Sequence, residues 1–339
     1  HWTSFLSWQR KHLLCSRVSI TPINWNGEMV FTPVVDASAA TLRHHHLDVV
    51  AAREWADGLH VSVRTKTSAV DVDMVRRIAA AQSARPGATC LTPPAVSREF
   101  AWNVAAQQDL VLDQFCAVCT SLDAGETAST AVRASDCAEE AVQAGFDTLL
   151  SEQAAAWEAR WHDADVVVDC DDVSLQRSLR FYLFQLLQAY RAGDSRLSIG
   201  AKMLSGEHYA GHYFWDTDIF ILPFYLNTQP DAALNLVEYR IGRLDGARAK
   251  ARSMGFGGAY YPWEGDALSG EENCPREWTD EKSKRPVRIL CGEIELHVNG
   301  AVVYALDQYR RLAGGDAFWF GPAAAVVLEC ARFWASRGE

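Results

Sequence analysis

A tryptophan and two aspartates stand in the densest polar aromatic segment of the sequence, GEHYAGHYFWDTDIFILPF at positions 206–224. Trp215, Asp216 and Asp218 are flanked by apolar residues, so we expect their side chains to face a half-buried site. A carboxylate beside an indole holds vicinal sugar hydroxyls while the indole packs on the sugar ring. A structural polar network is the alternative. A metal site is a third interpretation, although His212 and Asp216 lack a third clear ligand.

A second tryptophan and carboxylate pair, Trp263 and Glu264, lies in GFGGAYYPWEGDALSGEENCP at positions 255–275. It repeats the combination that suits a sugar. No helical pattern follows the GFGG run directly, so the run does not predict a phosphate-binding loop. Glu271 and Glu272 follow in the same loop, where we expect solvated charges.

Glu293 and Glu295 alternate with apolar residues in CGEIELHVNGAVVYAL at positions 291–306. The alternation predicts an extended segment that points both carboxylates the same way, and His297 and Asn299 continue that face before a helix starts. A carboxyl group at the rim of an apolar helical array stays protonated near neutrality, as a general acid must. The alternative interpretation is a network that caps the helix after Asn299.

The cysteine and histidine patterns do not predict a metal centre. Cys116 and Cys119 form a CxxC pair, but no second pair or nearby histidine completes a ligand set. Their strand-like flanks favour a strand that carries two thiols. The consecutive histidines 44–46 are interpreted as a solvated loop. We therefore expect neither a metal nor an organic cofactor.

The elements that must position these residues change in character along the chain. Residues 1–124 contain short alternating apolar runs separated by Asn-Gly, Asp-Gly and Pro-Gly, which predict an antiparallel β-sandwich. Residues 125–172 are Ala-rich and predict a helical linker. Residues 173–339 predict an array of helices whose loops carry the candidate residues.

Local signals place the starts of these helices. Asp172 is a candidate N-cap for the first, Pro230 precedes the second, and Gly321-Pro322 opens the last. Another helix is predicted from about residue 298 to residue 312.

Composition limits the class of protein. The chain has 339 residues, of which 49% are hydrophobic and 22% charged, as in ordinary globular proteins. A net charge of −11 argues against nucleic acid or an anionic membrane as a partner. No apolar run reaches the roughly 18 residues of a membrane-spanning helix. Nine scattered cysteines favour reduced thiols and a cytoplasmic location.

A series of motifs, in their order along the chain, resembles glycoside hydrolase family 65, the family of the maltose, trehalose, kojibiose and nigerose phosphorylases. The likeness rests on TPINWNGEM, VRTKTS, LSIGAKMLSGEHYAGH, GHYFWDTDIFILPF, YRIGRLDGARAKA, GGAYYPWE, GEIELHVNGAVVYA and ARFWASR, which span nearly the whole chain. The resemblance implies a β-sandwich, a helical linker and an (α/α)6 barrel with chemistry in its mouth loops. It also implies a homodimer.

By motif position, the resemblance implies that Glu295 is the general acid of an inverting reaction. Glu295 protonates the glycosidic oxygen while inorganic phosphate, a co-substrate, attacks C1 from the opposite face. The products are β-glucose 1-phosphate and glucose. The residues that the resemblance places against the sugar are Trp215, Asp216, Trp263, Glu264 and His297.

Two positions depart from the phosphorylase pattern. Ala301 stands where phosphorylases have Asp, and Cys274 precedes Pro275 where they have Thr. Both variants resemble hydrolase branches of the family, such as the glucosidase that trims glucosyl-galactosyl-hydroxylysine. An inverting α-glucoside hydrolase is therefore a second hypothesis, and a non-catalytic sugar-binding chain is a third. The linkage, whether of trehalose, kojibiose, maltose or nigerose type, stays open.

The helix count predicts that the chain is a fragment. A complete (α/α)6 barrel has twelve helices, and about half that number is predicted here. We expect a sandwich, a linker and the first half of a barrel, which keeps the general acid but has no phosphate-binding loop. Such a chain is expected to be inactive alone.

Overall fold

The computed structural model describes residues 1–38, 40–41, 44–55, 57–123, 127–190, 192–203, 208–280 and 282–338. The chain divides into two compact units, His1–Ala159 and Arg160–Glu339. The first unit is rich in strands and the second in helices, in the predicted order.

Two antiparallel sheets build most of the first unit. The larger has six strands in the order β1-β2-β12-β9-β8-β7, and the smaller has the order β10-β11-β3 with β4 also paired to β11. A separate hairpin pairs β5 with β6. The strands are β1 (Trp2–Leu6), β2 (Leu13–Ile20), β3 (Gly27–Phe31), β4 (Val34–Asp36), β5 (Ala40–Thr41), β6 (His44–His45), β7 (Leu47–Trp55), β8 (Gly58–Thr65), β9 (Asp71–Ala80), β10 (Arg85–Cys90), β11 (Ala95–Val104) and β12 (Leu110–Thr120).

The two sheets share an apolar core. Ile78 and Leu112 of the larger sheet pack with Phe100 and Trp102 of the smaller one, and all four are buried. Face-to-face antiparallel sheets of this kind form a sandwich. The first unit therefore agrees with the predicted antiparallel β architecture.

Two helices follow the sheets, α1 (Thr130–Ala144) and α2 (Phe146–Ala164). Ala134 and Ala138 of α1 are fully buried against Val75 and Ala117 of the six-stranded sheet, so α1 is part of the first compact unit. The predicted boundary at residues 124 and 125 lies outside the described residues. The three-part division of the chain stays a prediction.

The second unit is helical around one large buried cluster. Its regular elements are α3 (Val173–Ala189), α4 (Leu222–Thr228), α5 (Pro230–Gly242), α6 (Leu244–Ser253), β13 (Glu277–Thr279), β14 (Pro286–Arg288), α7 (Cys291–Ile294), α8 (His297–Tyr309), α9 (Gly315–Phe320) and α10 (Ala324–Arg337). Short π-helical turns cover Thr217–Ile221 and Arg310–Gly314.

The local helix signals are confirmed. The Asp172 carboxylate accepts a hydrogen bond from the Ser174 amide at 2.8 Å and caps α3. Pro230 is the first residue of α5, where its missing N–H costs nothing. The last helix begins at Ala324, just after the predicted Gly321-Pro322 start.

One prediction about the first unit is wrong. His44 and His45 form strand β6, paired with β5, rather than a loop, although both side chains are exposed as expected. Within the described ranges, no helix has the length and apolar composition to cross a membrane.

Candidate active site

Asp218 anchors the Trp-Asp segment to α5. Its carboxylate forms a buried ion pair with Arg240, whose Nη2 lies 2.6 Å from Oδ2 and whose Nε lies 3.1 Å from both oxygens. Arg240 also donates to the Phe214 carbonyl at 3.0 Å. Both side chains are about 95% buried or more. The structural interpretation of this segment is therefore correct for Asp218.

Asp216 is free for another role. It lies at the start of the π-helical turn and is only partly buried. Its carboxylate makes no hydrogen bond or ion pair with any residue in the described part of the chain. Asp216 follows Trp215 directly, so an available carboxylate and an indole sit side by side, as sugar recognition requires.

This division of roles gives a matched stability prediction. We expect Asp218→Asn to lower the free energy of unfolding by about 3–5 kcal/mol, because it leaves the buried Arg240 charge unpaired. Asp216→Asn should change stability by less than about 0.5 kcal/mol and weaken sugar binding instead. Urea unfolding followed by circular dichroism measures both variants beside the unmodified protein. Equal stability of the two variants would contradict the anchoring role of Asp218.

Backbone pairing brings the second tryptophan pair to the first. The amides and carbonyls of Tyr213 and Gly265 exchange two hydrogen bonds of 2.8 Å. The Glu264 carboxylate accepts a hydrogen bond of 2.8 Å from His212 Nδ1 and is mostly buried. Trp263 packs edge-on against Phe214, with ring centroids 5.8 Å apart. The loop of Trp263 and Glu264 thus lies against the segment of Trp215.

Asn299 fixes the backbone just before Trp263. It is fully buried in the first turn of α8. Its Oδ1 accepts from the Tyr261 amide and its Nδ2 donates to the Ala259 carbonyl, both at 2.8 Å. The alternative interpretation, a capping network for a helix after Asn299, is wrong because the side chain satisfies a neighbouring backbone segment and not the helix end.

Glu272 organises the same loop and contradicts the expectation of a solvated charge. Its Oε1 accepts from the Glu264 and Cys274 amides, each at 3.0 Å. Its Oε2 accepts from the Trp263 amide at 2.9 Å and from Lys250 Nζ at 2.6 Å. The sequence carries no signal for this role. Its neighbour Glu271 is exposed, as expected.

Lys250 is the buried partner of that carboxylate. Its side chain is only 6% exposed and its ammonium lies 3.6 Å from the centre of the Tyr260 ring. It also donates to the Tyr261 carbonyl at 3.3 Å. Burial lowers the pKa of Lys250, while the Glu272 carboxylate opposes that shift. A cavity of about 290 Å³ lies beside this ion pair and is also lined by Arg276 and Glu293.

Glu295 lies between two helices, not in the predicted extended segment. Helix α7 ends at Ile294 and α8 begins at His297. Glu293 pairs with Arg288 at 2.8 Å, whereas Glu295 Oε2 lies 3.3 Å from His297 Nδ1. The two carboxylates therefore have separate partners, and the predicted shared face is wrong.

His297 joins the candidate residues into one group. Its ring meets Trp215 edge-on, with centroids 4.6 Å apart, and Trp263 with centroids 5.8 Å apart. Glu295 contacts the same imidazole. Asp216 and Glu264 follow the two tryptophans in sequence. The structure therefore brings Glu295, His297 and both indoles together, and a carboxylate follows each indole in the sequence.

Comparison with known proteins gives a consistent result. The first 160 residues match the description "Glycosyl hydrolase family 65, N-terminal domain", and residues 180–339 match "Glycosyl hydrolase family 65 central catalytic domain". The chain is 34% identical to a kojibiose phosphorylase of Halothermothrix orenii, over 99% of its own length and 44% of that protein. It is 29% identical to an α,α-trehalose phosphorylase of Thermoanaerobacter brockii, over 98% of its length and 42% of that protein.

A solved structure described as a putative kojibiose phosphorylase from human microbiome has the same fold. It superposes with a TM-score of 0.84 at 21% identity, and the match covers 99% of this chain and 42% of the other. The chain thus spans less than half the length of these relatives.

Proposed function

The chain belongs to glycosyl hydrolase family 65, and from this premise we propose that the protein cleaves an α-glucosyl disaccharide by phosphorolysis, with inversion at C1. The observation that carries the proposal is the convergence of Glu295, His297 and the two indoles of Trp215 and Trp263. A proton donor, an imidazole and two apolar ring faces are what a glucosyl group needs at its reacting end.

In this proposal Glu295 is the general acid. It gives its proton to the glycosidic oxygen as the bond from C1 to that oxygen breaks. An oxygen of inorganic phosphate forms the new bond to C1 from the opposite face and gives β-glucose 1-phosphate. Glu295 is left as a carboxylate and takes a proton back from solvent. Phosphate itself is the nucleophile, so the reaction needs no second protein carboxylate and no metal or organic cofactor.

The other candidate residues hold the sugar. Trp215 and Trp263 pack on its faces, and Asp216 accepts hydrogen bonds from its hydroxyls. Glu264 is already oriented by His212 at 2.8 Å, so it presents its second oxygen in a fixed direction. His297 lies against both indoles and next to Glu295, where it positions the acid.

The sequence comparisons favour kojibiose as the substrate of this protein. The kojibiose phosphorylase of Halothermothrix orenii matches 99% of this chain, whereas a nigerose phosphorylase of Lachnoclostridium phytofermentans matches 70% and a maltose phosphorylase of Bacillus subtilis 67%. A match over the whole chain includes the sandwich as well as the helices. We therefore put the α-1,2 linkage first and the trehalose linkage second.

A hydrolase of the same family is the second candidate. Ala301, which stands where phosphorylases have Asp, is buried in α8, so the missing carboxylate changes an interior position. A hydrolase would instead activate water with a second carboxylate, about 6.5–9.5 Å from the acid.

Phosphate dependence separates the two reactions. In the full-length protein, we expect loss of kojibiose to require added inorganic phosphate and to yield the β anomer of glucose 1-phosphate, which phosphorus and proton NMR identify. Free β-glucose formed at the same rate in phosphate-free buffer would replace the phosphorylase proposal with the hydrolase. The α anomer of the phosphate ester would contradict inversion.

We also propose that the helical unit is part of an (α/α)6 barrel. Several large apolar side chains on its helices are more than half exposed, as expected if further helices pack on them in the whole protein. They are Phe181 and Tyr182 of α3, Phe320 of α9 and Leu328 of α10. The homodimer and the cytoplasmic location remain predictions.

A further inference from the structure

Three side chains that commonly bind metals meet in the first unit, far apart in sequence. His12 lies in the turn between β1 and β2, Cys119 near the end of β12, and Asp123 in the turn that follows β12. One ligand atom of each, an imidazole nitrogen, the thiol sulfur and a carboxylate oxygen, lies within 4.8 Å of the other two. We propose that this cluster is a Zn²⁺ site.

The turn that carries His12 holds this residue in an unfavourable backbone conformation. His12 has φ 85°, in the left-handed region that costs a residue other than glycine about 1 kcal/mol or more. The Val118 amide donates to the His12 carbonyl at 2.8 Å and ties the turn to β12. The turn thus places the imidazole beside Cys119, the residue after Val118.

The thiol of Cys119 lacks a partner in the described part of the chain. Cys119 is only 2% exposed, and its sulfur makes no hydrogen bond there. His12 Nε2 lies 3.8 Å from Asp123 Oδ2, which is too long for a hydrogen bond. Among the described residues, no hydrogen bond joins any two of these three side chains, although their ligand atoms converge to within 4.8 Å. A cation bound between them would be their common partner.

Two hydrogen bonds orient the carboxylate of Asp123, the third proposed ligand. Asp123 Oδ2 accepts from the Thr120 amide and from Arg133 Nη1, both at 2.9 Å. Arg133 Nη2 also donates to the Thr120 carbonyl at 2.8 Å. Carboxylates that bind metals are typically oriented by such second contacts.

The donor set and the spacing select the metal. One nitrogen, one sulfur and one oxygen suit Zn²⁺, whereas Mg²⁺ and Ca²⁺ take oxygen ligands. Zinc bond lengths of about 2.0–2.3 Å place tetrahedral ligand atoms roughly 3.3–3.8 Å apart. The widest separation in the cluster therefore has to shorten by about 1–1.5 Å to close on the ion. The side chains of His12 and Asp123 are 21% and 15% exposed, so water can reach the fourth position.

This proposal changes the interpretation of the CxxC pair. The sequence shows no histidine near Cys116 and Cys119, but the fold brings His12 to one of the two thiols. The neighbouring cysteine, Cys116, is not part of the cluster. Cys116 is therefore a matched control on the same strand.

Cobalt substitution tests the site on the whole protein. After chelator treatment, we expect one equivalent of Co²⁺ to bind and to give a thiolate-to-cobalt charge-transfer band in the near ultraviolet. One equivalent of Zn²⁺ should displace it and raise the melting temperature. Cys116→Ser should keep the band, and Cys119→Ser should lose it and weaken Zn²⁺ binding at least about tenfold.

A second variant guards against misfolding of the first. His12→Asn keeps a side chain that tolerates positive φ and should also weaken binding while the far-ultraviolet spectrum stays unchanged. The exposed histidines 44–46 can bind Co²⁺ but contain no thiolate, so they cannot give the band. A band that survives Cys119→Ser, a band lost in Cys116→Ser, or no band in the unmodified protein would overturn the proposal. None of these measurements depends on sugar cleavage.

Discussion

In the full-length protein, replacing Glu295 with glutamine should lower kcat for phosphorolysis by about 10²–10⁴-fold and leave disaccharide binding in place. The amide has the same shape as the carboxyl group but cannot protonate the glycosidic oxygen. The contact with His297, at 3.3 Å in the unmodified protein, is geometrically possible for glutamine as well. The loss should therefore appear in kcat and not in the dissociation constant measured by calorimetry.

The leaving group separates proton donation from a merely structural role. Fluoride leaves from α-glucosyl fluoride without needing a proton, so the Glu295→Gln variant should use that substrate, with phosphate, at close to the unmodified rate. Equal losses on kojibiose and on the fluoride would contradict the general-acid assignment.

Glu293→Gln is the matched control. Glu293 is two residues away on α7 and pairs with the exposed Arg288 at 2.8 Å. Loss of this ion pair should lower the free energy of unfolding only slightly, because ion pairs at the surface contribute about 0–1 kcal/mol. A larger kcat loss in Glu293→Gln than in Glu295→Gln would show that the acid had been assigned to the wrong residue of the motif.

Local signals in the sequence predict where elements begin. The cap at Asp172 and the proline at Pro230 act within one turn of the helices they start, so neighbouring residues carry all the information. The same reasoning failed at Glu293 and Glu295. Two polar residues that alternate with apolar ones fit a strand, but here they fall in a helical turn and the junction after it.

The sequence patterns do not predict contacts between segments that are far apart in the chain. Spacing alone does not tell Asp216 from Asp218, because the difference is the arrival of Arg240 from α5. In the same way, Glu272 differs from Glu271 only through Lys250 on α6 and three backbone amides. The motifs identified which residues gather at the site, and the tertiary fold assigns which carboxylate is free and which is structural.

The Glu272→Gln variant should show the largest effect of any change outside the acid. It leaves the Lys250 ammonium buried without its counter-charge, at a cost of about 3–5 kcal/mol. The glutamine NH₂ group would also face backbone N–H groups that donate to the carboxylate in the unmodified protein. Because two donors cannot pair, the loop of Trp263 and Glu264 must shift. A displacement of about 1 Å at this loop would lower kcat/KM by about 10²-fold. Glu271→Gln, on the adjacent exposed residue, should change neither stability nor kcat/KM.

The pH dependence of stability identifies the ion pair as the cause. Burial lowers the pKa of Lys250 and the Glu272 carboxylate opposes that shift, so removing the carboxylate lowers it further. Between the folded and the ordinary lysine pKa, the unfolded chain binds more protons, so stability rises with pH. The deficit of Glu272→Gln should therefore be largest near neutrality and shrink as the pH rises into the alkaline range. Urea unfolding at a series of pH values measures it. A deficit that stays constant with pH would mean that the variant fails through lost backbone contacts and not through the unpaired Lys250 charge.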